Sequence, residues 1–155
     1  MEYSMAFAVT LHLLSAVIWV GGMFFAVYVL RLAAGPMEPT DRIALWSRSF
    51  KKFFPWVWCA VILLISSGYY ITFVGYAGFK NLPILYHVMH LLGWLMVMLY
   101  LHLWFAPYSR FKRAVEEENM AVAGQNLNQI RIIVTANLWL GLLNIILGAT
   151  GKYIN

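Results

Sequence analysis

The chain has 155 residues, 63% of them apolar and only 11% charged, with a single cysteine and a formal net charge of +5. A composition this apolar excludes a water-soluble domain, because too little polar sequence is left to coat a surface. One cysteine excludes an intrachain disulfide or a cysteine metal cage, and the basic surplus reads as a topology signal and a footprint for anionic lipid, with no nucleic-acid partner.

Four apolar stretches reach the length of about 20 residues that crosses a bilayer: 3–30, 53–76, 82–106 and 132–150. They predict an all-α, integral membrane four-helix bundle forming one domain over 1–155. The first stretch starts with Glu2, lacks a basic leader and is longer than a signal-peptide core, so it is expected to remain as span one. The helical face of His12 continues through Ala8, Ser15, Ala16, Gly22 and Ala26, a groove of small residues that admits a flat ligand or another helix.

Gly35, Pro36 and Pro39 then break the helix, and Thr40 or Asp41 is placed to cap the next one. Ile43, Trp46, Phe50 and Phe53 recur at helical spacing while Arg42, Arg48, Lys51 and Lys52 fall mostly elsewhere. This pattern predicts a short amphipathic helix lying on the cytoplasmic surface and leading into span two, with Pro55 in the first turn of that span. Cys59 reads as a small apolar filler within span two. Ser66, Ser67, Gly68, Tyr69, Tyr70 and Thr72 come late in the span, where Ser66 and Tyr69 in particular can serve the carboxylates or the head of a ligand such as a quinone.

Span three carries His87 and His90 near its start and His102 near its end. The segment 108–129, with Arg110, Lys112 and Arg113 followed by Glu116, Glu117 and Glu118, is expected to extend span three into water and turn back near Gly124. Span four aligns Asn137, Gly141, Asn144, Gly148 and Gly151 on one small, polar face turned into the bundle. Such glycine-lined helices also permit a homodimer.

Orientation follows from the cations. Arg31, Arg42, Arg48, Lys51 and Lys52 lie between spans one and two, and Arg110, Lys112, Arg113 and Arg131 between spans three and four. The other loop holds only Lys80 and the C-terminal tail only Lys152. The positive-inside rule therefore places both termini in the periplasm of a multi-pass protein of the bacterial inner membrane. At 1.5 Å per residue, His12 stands about 28 Å above the inner boundary, His87 and His90 about 34 and 30 Å, and His102 about 12 Å. Three imidazoles from two helices thus share the outer edge of the hydrocarbon layer. A histidine buried in a membrane helix needs a partner, so this trio is the candidate metal and cofactor site, while His102 is expected to bond Asn137.

Imidazoles on different helices suit haem iron, with His12 on one axial side and His87 or His90 on the other. A b-type haem passing electrons to an unidentified redox partner is the leading reading. The same imidazoles suit Cu(I), which prefers soft ligands and low coordination, with Met5, Met23 and Met89 as nearby thioethers.

The stretches "LHLLSAVIWVGGMFFAVYVLR" at 11–31, "LHLWFAPYSRFKRAV" at 101–115 and "LNQIRIIVTANLWLGLLNIILGATGKY" at 127–153 resemble the short, four-span members of the copper resistance protein D (CopD) family. Those members are similar to membrane-bound bacterial protoporphyrinogen oxidases, which have a first-span histidine, bind b-type haem and oxidise a porphyrinogen. The resemblance implies that His12 matches that histidine. It adds copper handling and porphyrinogen oxidation to the functions to be weighed.

Overall fold

The structure is a computed structural model that describes residues 2–151; Lys152, counted above for topology, lies outside them. Four helices make up the fold: α1 (Glu2–Ala33), α2 (Pro39–Gly75), α3 (Ile84–Glu116) and α4 (Met120–Thr150). The described residues include no strand. Each helix is long and apolar enough to cross a membrane, and even α4, with 31 residues, measures about 46 Å against a hydrocarbon layer of about 30 Å. The helices therefore project beyond the apolar layer, and most of the projecting sequence lies at the basic end.

The expected separate amphipathic helix is instead the first part of α2. Glu38 is the N-cap and Pro39 opens the helix, so capping by Thr40 or Asp41 does not occur, and Pro55 lies well inside the helix instead of in its first turn. Helix propagation across the membrane boundary adds one backbone hydrogen bond per residue without a new nucleus, which favours continuity over a second start. Most of the apolar stripe predicted to lie on lipid is turned inward: Ile43, Trp46 and Phe50 are buried and Phe53 is half-buried, with its neighbour Phe54 buried instead. They meet the far end of α3, where Phe50 stands edge-on to Phe111 at 5.8 Å and Phe54 edge-on to Tyr108 at 4.6 Å.

The turn between α3 and α4 comes earlier than Gly124. Glu118 adopts a left-handed conformation (φ 55°) and the Asn119 side chain accepts the amide of Val122, capping α4 one turn before the glycine. Arg110 then fastens the two helices, donating from Nε to Asn126 Oδ1 at 3.0 Å and from Nη2 to Gln129 Oε1 at 2.8 Å. At Pro107 the missing amide donor is accommodated by a widened π turn over Trp104–Tyr108.

Across the bundle, α1 packs chiefly on α2 and α3 chiefly on α4, and α4 also touches α1 and α2. The α2–α3 seam is closed by large rings: Tyr100 meets Phe54 at 6.1 Å and Trp58 at 5.2 Å, and Trp104 meets Phe54 at 5.7 Å. The polar face of α4 turns inward as expected. Asn137 donates to the Met96 carbonyl and Asn144 to the Met89 carbonyl, both at 3.3 Å, while Gly148 lies against Met89 and Gly151 against Tyr86.

Gly141 is the tightest of these approaches. A Cβ there would lie 2.8 Å from Val20 Cγ2 and 3.1 Å from Met96 Cε. Gly141→Val is expected to cost about 1–3 kcal/mol through overpacking, read as a lower thermal unfolding midpoint in detergent. An unchanged midpoint would show that the α1–α4 contact is looser than this geometry.

Candidate functional site

α1 and α2 run antiparallel with a seven-residue match. The Met5 thioether lies against Gly75, and one heptad further along α1 the His12 ring lies against Gly68. Gly68 matters because a Cβ there would stand 3.2 Å from His12 Cε1, so only a bare backbone leaves the ring its full space. Ser67, next to it and buried, bonds His12 Nδ1 at 2.9 Å and also its own helix's Leu63 carbonyl. The hydroxyl has one proton, and giving it to Leu63 leaves the oxygen to accept from Nδ1–H. His12 Nε2 then carries the free lone pair.

His90 has the same polarity. Its Nδ1 lies 2.8 Å from the Tyr86 carbonyl, which can only accept, so the proton is on Nδ1 and the lone pair on Nε2. Nε2 faces the Thr72 hydroxyl at 3.2 Å. Thr72 is buried, belongs to a π turn over Ile71–Gly75, and its hydroxyl also lies 2.9 Å from the Gly68 carbonyl, so its single proton serves either His90 Nε2 or Gly68. It can therefore give up His90 by turning that proton to Gly68. Tyr69 and Phe79 stand edge-on to the His90 ring at 5.8 and 5.3 Å and hold its plane.

Ser67 and Thr72 are five residues apart, about 7.5 Å along α2, and face different neighbours. The rings from α1 and α3 thus converge on one stretch of α2. Of the two span-three candidates, both half-buried, His90 bonds α2 through Thr72, whereas His87 meets Phe79 at 6.0 Å.

Two other expectations are corrected. Ser66 is exposed and its hydroxyl bonds the Ile62 carbonyl of its own helix, so the site hydroxyls are Ser67 and Thr72 instead. Tyr69 does face the site, with its hydroxyl accepting from Trp94 Nε1 at 3.2 Å. His102 does not bond Asn137: it is exposed, and the Asn137 amide is taken by Met96. Equal depth had suggested that pair, but depth alone does not fix the direction in which a helix turns a side chain.

Haem does not fit this arrangement. The best-formed cavities enclose about 20 and 30 Å³ and neither is lined by a histidine, whereas a drug-sized ligand needs at least about 300 Å³. Among the described residues no three His, Cys, Asp or Glu side chains converge on one point. His12 and His90 are the two imidazoles that bond α2 here, and the Met5 thioether stands one heptad, about 10 Å, along α1 from His12.

Residues 47–150 match the family described as copper resistance protein D, CopD. The chain belongs to the CopD family. The matched segment includes Ser67, Gly68, Thr72 and His90, while His12 and Met5 precede it. Among curated proteins and among solved structures nothing matches, so the expected likeness to protoporphyrinogen oxidases finds no support there. Four apolar helices and CopD membership together make this a multi-pass membrane protein.

Proposed function

We propose that this CopD protein binds Cu(I) between His12 and His90, with the Met5 thioether in reserve, and serves copper uptake or resistance at the bacterial inner membrane. The observation that carries the reading is the matched polarity of the two rings, each with Nδ1 tied to an acceptor and Nε2 left as the lone pair. Ligating histidines characteristically donate their other N–H in this way, which fixes the tautomer and raises the basicity of the ligating nitrogen. Cu(I) accepts two or three soft ligands, so a pair of imidazoles and one sulfur suffice where zinc would require a fuller tetrahedron. Copper is here the cargo of the site. Binding requires the Thr72 hydroxyl to turn its proton from His90 Nε2 to the Gly68 carbonyl.

The positive-inside rule supports placing the basic end in the cytoplasm, which sets the site near the periplasmic face together with both termini. Cu(I) arriving from that side would meet Met5 first and the imidazoles next.

The test is an anaerobic titration of purified protein against a chromophoric Cu(I) chelator, with metal analysis and an absorption spectrum of the same sample. One Cu(I) per chain and no Soret band is the expected result. A Soret band with near-stoichiometric iron, or failure to compete with the chelator, would overturn the proposal.

A further inference from the structure

At the basic end, far from the histidines, α1, α2 and α4 enclose a shallow cleft lined by Ala26, Arg31, Trp46, Arg131, Val134 and Thr135 among others. The Arg131 guanidinium lies over the Trp46 ring at 5.6 Å, and Arg31 and Arg42 both act on it as like charges. Among the described residues, the three guanidinium groups make one hydrogen bond, from Arg42 Nη1 to the Gly35 carbonyl at 3.4 Å. Among the described residues none of the three has a carboxylate within ion-pair distance, and Glu38 and Asp41, close in sequence, do not supply one. Two buried donors, Arg131 Nε and Trp46 Nε1, have no acceptor.

Arg31 and Arg131 line this cleft and Arg42 adds a like charge; cations beside orphaned donors at the edge of the apolar layer are costly unless an anion with several acceptor oxygens joins them. Planar guanidinium groups match phosphoryl oxygens in both charge and geometry. Leu32 and Ile132, close in sequence to Arg31 and Arg131, are 69% and 62% exposed, apolar surface along which acyl chains can lie. We propose that Arg31 and Arg131, at the mouth of this apolar cleft, bind the phosphoryl group of an anionic phospholipid. This site is independent of the copper reading.

The experiment is native mass spectrometry of delipidated full-length protein in neutral detergent, titrated with phosphatidylglycerol or with phosphatidylcholine of the same chains. Phosphatidylglycerol should bind more tightly by roughly 10-fold or more, and Arg131→Gln or Arg31→Gln should each weaken it by about 5-fold. Lys112→Gln, which removes a basic-end cation that lies over Trp104 and Tyr108 instead of in the cleft, should leave it unchanged. Arg31 is exposed, so its variant tests the site even if Arg131→Gln fails to fold. Equal affinity for the two lipids, or a preference untouched by either arginine variant, would overturn the proposal. Inorganic phosphate separates the sources: failure of millimolar phosphate to displace the lipid upholds a lipid site, and ready displacement overturns it in favour of a soluble anion.

Discussion

His12→Ala is expected to lower Cu(I) affinity by about 100-fold or more, because removing a ligand should exceed the 10–100-fold loss typical of removing a ligand's hydrogen-bond partner. Folding should change much less. The variant loses one Ser67 hydrogen bond, worth about 1 kcal/mol, and the Ser67 hydroxyl keeps its bond to Leu63. Ser67→Ala should fall between the two, at about 10-fold, by releasing the tautomer without removing the ligand. His102→Ala should match wild type, since that side chain is exposed and remote in sequence from the site. Chelator competition measures all four proteins. Wild-type affinity in His12→Ala would remove the first span from the site, whereas equal losses in His12→Ala and His102→Ala would point to a general effect on the bundle. Lower pH should weaken binding in the wild type, because both imidazoles must be unprotonated to ligate.

Phe111→Ala should be the most destabilising single change at the basic end, costing about 3–5 kcal/mol through lost burial and the cavity left behind. Phe111 is fully buried, and its neighbour Phe50 stacks on Phe54 at 5.0 Å. Removing the ring would leave a void between α2 and the end of α3. Thermal unfolding in detergent reads the effect, with Phe105→Ala as the comparison because that ring is 71% exposed. Similar midpoints for the two variants would show that the projecting helices contribute little to stability.

The two ends of the bundle follow different physics. In the apolar layer, lipid competes on equal terms with leucine, so close approach at Gly68 and Gly141 and hydrogen bonds such as Asn137 to Met96 define the packing. Beyond it, where the helices project past the apolar layer, aromatic burial regains the full hydrophobic term. That contrast explains why Phe50, Phe54, Tyr108 and Phe111 gather at the basic end and why the candidate metal site lies among hydroxyls and glycines at the other.

Span number and an all-helical bundle were legible in the amino-acid order, since apolar length and backbone satisfaction in lipid admit few other solutions. The inward face of α4 was equally legible from the spacing of Asn137, Gly141, Asn144 and Gly148. Only the tertiary structure decided that His90 reaches Thr72, that Ser67 and not Ser66 bonds His12, and that the amphipathic stripe of α2 packs on α3 instead of on lipid. Those choices depend on the rotation of each helix about its axis, which is set by side chains that interlock across helices. The Arg31–Arg131 cleft was likewise hidden, because cations distant in sequence line one site only when their helices end side by side.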